Sequence, residues 1–513
     1  MGSGKSQVAA ALGELWSTSV VDLDKRIEQR AGSSVADIFE RRGEAAFRAL
    51  ERETLEQVLA EGAKVIALGG GTVTNTEARR RLLNAGTVVT LRASLHSLSA
   101  RVGSGRGRPL LAGEDVRSRL SRILIERAAA YAECHAEIET DGRDLASIAQ
   151  EVDRVVSEAP IVVPMGERTY RVEVSPGARH VLAQRARASV KGSHAIVVTD
   201  TGVEEPWARR VREELAEAGF QVVPVCLSAG EEHKHIRSIE QIWDAALDAA
   251  VDRDALLVAV GGGVVGDMAA FAASTILRGI PLGQLPTTLL AMVDSAVGGK
   301  TGIDRPQGKN LIGSFHQPRF VLCDVEVLST LPLVERRAGL AEVAKSAWLD
   351  GEESVALLER RADELVAGDL QATSEAVRLS VKLKARIVTE DEKESGVRAT
   401  LNLGHTVGHA IEAAAGFSLR HGECVSLGMV AAFRLAERLG TGDARSFARM
   451  RELLNRLGLP TDVDRYLDDR TLAFIGADKK RKAGKVRFIV PGQPGNTQLS
   501  SLSVEEISRL VKP

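Results

Sequence analysis

Leu256-Leu-Val-Ala-Val260-Gly-Gly-Gly-Val-Val-Gly-Asp267 decides how this 513-residue chain is to be read. The apolar run has the length of a buried strand, and it passes through a glycine turn into a helical pattern. Gly261, Gly263 and Gly266 keep the Gly-x-Gly-x-x-Gly spacing, with Gly262 and Asp267 in the same turn. Such a turn lets a pyrophosphate approach the main chain at a helix N-terminus. The acidic residue expected about twenty positions on is absent, since that stretch runs Ile280-Pro-Leu-Gly-Gln284. A ribose contact is then expected from Asp200, which ends Val197-Val-Thr-Asp200, or from Glu231 and Lys234 of Gly230-Glu-Glu-His-Lys234.

Working outward, similar short runs recur at Val65–Leu68, Val88–Leu91, Ala195–Val198 and Val222–Val225, each followed by a turn and a helical pattern. That alternation predicts parallel α/β sheets. Beyond about residue 330 helical periodicity dominates, with one hairpin-like piece at Gly484–Val490. A seam falls near 150–165, where Asp144 is placed to cap a last helix before the extended Tyr170-Arg-Val-Glu-Val174. The expected domains are 1–155, a P-loop parallel-sheet unit lacking its first strand; 161–325, a Rossmann-like α/β unit; and 326–513, mainly α-helical. Charge is balanced, 67 basic against 69 acidic residues, so no basic field points to nucleic acid or a membrane surface. Four scattered cysteines without a CxxC pair predict a reducing cytoplasm and no disulfide frame.

At the N-terminus, Gly2-Ser-Gly4-Lys5-Ser6 is the downstream part of a P-loop. Its backbone N–H groups would cradle phosphate, Lys5 would reach the β/γ oxygens and Ser6 would hold Mg²⁺. Asp22-Leu-Asp24 ends a short strand, where one carboxylate suits the metal side and one a substrate hydroxyl. Arg48, the triplet Gly69-Gly70-Gly71, the Gly-flanked Arg106 and Arg108, and Arg127 follow in an order that suits one small site. Residues 1 to about 150 resemble shikimate kinase. The resemblance implies ATP and Mg²⁺ at Lys5, Ser6 and Asp22. Shikimate would be held by Asp24, Arg48, Gly69–Gly71 and Arg127, with Arg108 in the lid and Asp24 orienting the attacking hydroxyl. A full P-loop has an earlier glycine and a preceding buried strand. Both are missing here, so Met1 is expected to be an internal methionine of the natural protein, reached by a misplaced start.

In the last third, Leu401-Asn-Leu-Gly-His405-Thr-Val-Gly-His409-Ala-Ile-Glu412 and Arg420-His421-Gly-Glu423 gather three of ten histidines. His405 and His409 share a helix face, and such a group suggests a divalent metal site. Glu342, in the apolar helical pattern Gly339-Leu-Ala-Glu-Val-Ala-Lys345, would be costly unpaired. It makes a two-histidine, one-carboxylate set with His405 and His421, and Lys345 one turn on would face the same pocket. Asp294 to Lys300 and Gly308-Lys-Asn310 add a Gly-rich basic stretch.

From about residue 161 to the end the chain resembles 3-dehydroquinate synthase, in the strings Gly-Gly-Gly-Val-Val-Gly-Asp, Pro286-Thr287-Thr288-Leu-Leu and Leu-Asn-Leu-Gly-His-Thr. The resemblance implies an NAD⁺-binding domain, to which Thr287 and Thr288 would contribute, and a helical domain holding Zn²⁺ or another divalent ion such as Co²⁺. Glu342, His405 and His421 would be the ligands. Substrate contacts would fall on Asp294, Lys300, Asn310, Lys345, Lys384, Arg398, Asn402 and His409, with Arg278 and Lys479 or Lys480 completing a phosphate pocket. His409 is then not a ligand, against the simple reading of the i, i+4 pair. The implied reaction cyclises 3-deoxy-arabino-heptulosonate 7-phosphate. NAD⁺ transiently oxidises the C5 hydroxyl, phosphate is eliminated, hydride returns, and an aldol step closes the ring. Implied partners are small molecules, with a homodimer through this half. Three alternatives stay open: a metal-dependent polyol dehydrogenase, another sugar-phosphate cyclase, and a first half that is only a scaffold.

Overall fold

The computed structural model describes residues 2–103, 115–416, 418–477, 481–482 and 485–512. The chain divides into two compact units, Met1–Pro164 and Met165–Pro513. Arg108, Lys479 and Lys480 lie outside the described residues.

In the first unit Val20–Asp22 pairs in parallel with Val65–Ala67, and Val89–Arg92 pairs in parallel with Ala136–Glu139. Among the described residues no strand joins the two pairs, so the sheet is split into halves. A central parallel strand supplies hydrogen bonds to both neighbours, and neither pair has a further described strand beside it. One apolar cluster nevertheless underlies both halves: Val65 and Ala67 from one pair and Ile138 from the other pack with Val8, Leu12, Ile148 and Val152. These last four come from the helices Lys5–Leu15 and Leu145–Glu158. Asp144 caps the second of these helices by accepting from the Ser147 amide at 2.9 Å. A second cluster, built on Leu23, Ile27, Ile38, Phe47 and Leu55, binds the helices Leu23–Ala31 and Val35–Ala60. The longer of these is broken at Gly43, whose φ of 77° only glycine adopts without strain.

In the second unit six strands form a parallel array in the order Tyr170–Ser175, Phe320–Asp324, Leu282–Pro286, Leu256–Gly261, His194–Asp200, Gln221–Leu227. Ala195–Val198 and Leu256–Val260 are almost wholly buried, as expected of strands covered on both faces. The chain winds outward from His194–Asp200 in one direction and resumes on its other side at Leu256–Gly261. That reversal makes a crevice beyond the strand ends at Asp200 and Gly261, where open α/β sheets bind ligands. A two-stranded hairpin, Lys300–Arg305 with Gly308–Phe315, comes in the chain between the sheet strands Leu282–Pro286 and Phe320–Asp324. Helices then dominate, with the antiparallel pair Lys485–Pro491 and Thr497–Ser503 near the end. No described helix is long and apolar enough to cross a membrane.

Candidate active sites

Three helices carry the metal candidates: Leu333–Asp350, His405–Ala414 and His421–Leu439. Their crossings are made by glycine. A Cβ on Gly422 would stand 1.9 Å from the Ala338 carbonyl oxygen, one on Gly428 2.0 Å from the Gly404 oxygen, and one on Gly408 2.8 Å from the Cys424 oxygen. Main chains therefore touch, and the metal candidates are brought together without long side chains between them. Overpacking of this kind costs about 1–3 kcal/mol. A Gly422→Ala chain should melt earlier and retain less zinc after dialysis; unchanged zinc content would show that the helix spacing does not set the site.

At this crossing Glu342 Oε1 lies 3.5 Å from His405 Nε2 and 3.7 Å from His421 Nε2. Glu342 is 1 % exposed and its Oε1 has no hydrogen-bond partner. Its other oxygen is ion-paired with Lys345. A buried carboxylate oxygen left unsatisfied is costly, so its arrangement beside two imidazole nitrogens fits a cation. Nδ1 of His405 donates to the Leu403 carbonyl at 3.2 Å, and Nδ1 of His421 donates to Glu412 at 3.3 Å. Nε2 is thereby, in both rings, the nitrogen turned toward Glu342, and an ion binding there would displace any proton it carries. Burial, reinforced by Lys345 and the other two imidazoles, holds His405 well below its ordinary pKa, which keeps it neutral. For His421 burial also disfavours charge, but Glu342 and Glu412 outweigh it and raise the value to about 9. Burial raises Glu342 too, yet Lys345 and His421 bring it below the usual carboxylate range.

His409 is exposed, and its ring centroid is 5.1 Å from that of His405 and 5.7 Å from that of His421. Its nitrogen falls within 4.8 Å of theirs, so a three-histidine set is geometrically open beside the set with Glu342.

Around this centre Lys384 is ion-paired with Asp294, and Lys300 with Glu394. Asn402 donates to the same Glu394 at 2.6 Å. Lys384 and Lys345 outweigh the effect of burial and keep Asp294 well ionised. Arg398 is buried and donates to the Gly298 carbonyl at 3.1 Å. Arg278 is exposed at a left-handed φ of 68° and, among the described residues, bonds to none of this group.

On the crevice side Lys234, 4 % exposed, places its Nζ 2.7 Å from both Asp267 Oδ2 and Asn310 Oδ1. Burial pushes the Asp267 carboxyl up despite that partner. Asn310 was read as a substrate contact and Lys234 as a cofactor contact; their hydrogen bond puts them in one cluster. The helix Gly263–Thr275 starts directly after the strand, with Gly262 packed on Thr288 and Gly263 on Ser295. Thr287 Oγ1 is buried without a partner, and Asp200 accepts from the Gly202 amide at 2.8 Å.

In the first unit a cavity of about 730 Å³ is lined by Gly2, Gly4, Lys5, Ser6, Asp24, Arg48, Gly69–Gly71 and Arg127. Ser6 Oγ donates to Asp22 at 2.6 Å, and Asp22 also caps its helix through the Lys25 amide. Desolvation first, then Asp22, raises the Asp24 carboxyl, with Lys5 pulling the other way. Arg127 and Tyr131 both donate to the Gly70 carbonyl, at 2.6 and 2.7 Å, which fixes the glycine turn. Arg48 donates to Glu51 at 2.7 Å and lies where a Cβ on Gly71 would be. Glu51 was not read from the sequence. It is buried, and it lies three residues after Arg48 on the same helix, the one signal available. Glu394 and Glu412 likewise carry no expectation from the sequence, although Glu412 closes the histidine stretch itself, and Lys309 enters there only as part of the basic stretch Gly308–Asn310.

Comparison with known proteins shows the families to which the two units are similar. Residues 1–157 match the family model of shikimate kinase, 224–338 that of the 3-dehydroquinate synthase N-terminal domain and 339–481 that of its C-terminal domain. The 3-dehydroquinate synthase of Pelobacter propionicus is 44 % identical over 351 residues, 68 % of this chain and 98 % of that protein. Among solved structures, 2-deoxy-scyllo-inosose synthase complexed with carbaglucose-6-phosphate, NAD⁺ and Co²⁺ is similar at 25 % identity and a TM-score of 0.63, over 69 % of this chain and 99 % of that one. The 2-epi-5-epi-valiolone synthase of Streptomyces hygroscopicus subsp. jinggangensis, with NAD⁺ and Zn²⁺ bound, is 27 % identical with a TM-score of 0.61, over 66 % and 95 %. The chain belongs to the 3-dehydroquinate synthase family and carries, over residues 1–157, a unit of the shikimate kinase family.

Proposed function

We propose that the second unit converts 3-deoxy-arabino-heptulosonate 7-phosphate to 3-dehydroquinate with loss of phosphate, and that the first unit phosphorylates shikimate from ATP with Mg²⁺. The observation that carries the first reaction is the unpartnered Glu342 Oε1 beside the Nε2 atoms of His405 and His421. Glu342, His405 and His421 would hold Zn²⁺ or Co²⁺, and the crevice at Asp200 and Gly261–Gly263 would hold NAD⁺. When bound, NAD⁺ would take up and return one hydride while the ion acts as a Lewis acid on the oxidised oxygen. Glu342 is preferred to His409 as third ligand because its buried Oε1, without a hydrogen-bond partner, needs a donor or a cation, whereas His409 is open to solvent.

The rest of the chemistry falls to the chain's own side chains. Lys345 occupies one oxygen of Glu342 and so leaves only Oε1 for the ion. Lys300, Lys384, Arg398, Asn310 and Asn402 supply donors for the substrate's carboxylate and phosphate, which must stay in place through elimination. His409 stands at the open side, where it would donate to the departing phosphate. In the first unit Lys5 and the amides of Gly2 and Gly4 would hold the nucleotide phosphates, and Ser6 and Asp22 the Mg²⁺. Arg48 and Arg127 would hold the shikimate carboxylate, and Asp24 the hydroxyl that attacks.

A homodimer through the second unit is supported by Leu311, Ile312 and Phe315, all exposed on the hairpin, and by Arg278, which among the described residues bonds to no group of its own site. A cytoplasmic setting is supported by four scattered cysteines in thiol form, none of them joined in a disulfide.

The test supplies the heptulosonate phosphate with substoichiometric NAD⁺ and follows inorganic phosphate. Many turnovers per NAD⁺ are expected, with activity lost on stripping the metal and regained with Zn²⁺ or Co²⁺. One phosphate per NAD⁺, with NADH accumulating, would make the unit a dehydrogenase instead.

A further inference from the structure

Glu412 belongs to neither substrate nor cofactor in the reading above, yet it is buried at the centre of the second unit. It lies on the helix His405–Ala414, two turns beyond His405, and so on the same face. Its Oε2 is 3.3 Å from Nδ1 of His421, the first residue of the next helix. A carboxylate accepts only, so Nδ1 of His421 carries a proton in this contact, and Nε2 is left as the nitrogen turned toward the Glu342 oxygen and toward an ion. The other oxygen of Glu412 accepts from Lys309 Nζ at 2.9 Å, and that ammonium also lies 3.3 Å from Glu231 Oε1. Glu412 is thus held from one side by Lys309 and holds the imidazole on the other. Glu231 follows the strand Gln221–Leu227, at the crevice end of the sheet.

We infer that Glu412 is the positioning residue of the metal centre: it fixes the tautomer and ring plane of His421, and Lys309 anchors it there, linking the centre to the Glu231 side of the crevice. This rests on the reading of His421 as a metal ligand. Ring orientation matters because an ion accepts a lone pair only along a narrow direction, and an imidazole with a free Nδ1 can rotate or change tautomer. Carboxylate partners of ligating histidines typically change metal affinity by about 10–100-fold when removed.

The test titrates the metal-stripped full-length chain with Co²⁺ alone and reads both the binding curve and the visible absorption of the bound ion. The wild-type chain should show saturable binding with a band of a nitrogen- and oxygen-ligated site. Glu412→Ala should bind about 10–100-fold more weakly, with a shifted band. Glu412→Gln, which keeps the shape and one acceptor, should recover part of the affinity and of the band. A Glu412→Ala chain with the wild-type curve and band overturns the inference while leaving His421 a ligand. Absence of saturable Co²⁺ binding in the wild-type chain overturns the metal reading itself. If the alanine variant does not fold, Glu412→Gln carries the test: a weaker curve and a shifted band are expected, and wild-type values for both overturn the role.

Discussion

A Glu342→Gln chain should retain no zinc after dialysis and should release phosphate from the heptulosonate phosphate at least about 10³-fold more slowly than the natural chain. A metal acting as Lewis acid supplies several kcal/mol of barrier lowering, and each 1.4 kcal/mol is tenfold in rate. The amide keeps the shape of the side chain but replaces an anionic donor with a weak neutral one. It also strips the counter-charge from Lys345, which is 2 % exposed. Breaking one partner of a buried pair costs about 3–5 kcal/mol, so the metal-free variant should also melt several degrees below the metal-free parent. Near-normal turnover with normal zinc content would remove Glu342 from the ligand set. The three histidines, whose nitrogens already lie within 4.8 Å of one another, would then be the centre.

Asp24→Asn should lower shikimate-dependent ADP release by about 10²–10⁴-fold, the usual contribution of a positioned general base. The same chain should release phosphate from the heptulosonate phosphate at the wild-type rate. Asp24 lies against the glycine turn, its Oδ1 2.9 Å from where a Cβ on Gly69 would be, so its direction is set by main chain. Its raised carboxyl makes it a better proton acceptor than a solvated aspartate. Asparagine has nearly the same volume and leaves Ser6, Asp22 and Lys5 in place, so nucleotide binding should persist. Loss of both activities would mean that the substitution unfolds the chain; persistence of both would assign the base elsewhere.

The elements behind these expectations were legible to different degrees. The strand Leu256–Gly261 and its helix could be read directly, because an apolar run of strand length followed by a glycine turn has few other foldings. Asp200 could be placed at a strand end but not beside Gly261, since that neighbourhood depends on the sheet order. The histidine pair located the centre by helical spacing, yet that rule knows only one helix. Glu342 reaches the site from another helix, and no local period connects it to residues more than sixty positions later. Lys345 was read as facing the pocket, and it does so by binding Glu342. The resemblance, more than any spacing, separated His409 from the ligands. Glu412 and Glu394 escaped because a carboxylate held by two partners has the same sequence signature as a solvated one. In the first unit the strand pairs Val20–Asp22 with Val65–Ala67 and Val89–Arg92 with Ala136–Glu139 stand as a split sheet among the described residues, consistent with the expectation of a P-loop unit lacking its first strand.

That split has a bearing on how the protein behaves in a tube or a crowded cell. Strands of three or four residues in isolated pairs lend little cooperativity, and each pair ends in a backbone edge with no described strand beside it. Such edges are templates for another chain. Warming or concentrating the protein should therefore first bring molecules together through residues 20–22, 65–67, 89–92 and 136–139. Shelf life would then be governed by the smaller unit, long before the glycine-packed helices of the larger one begin to loosen.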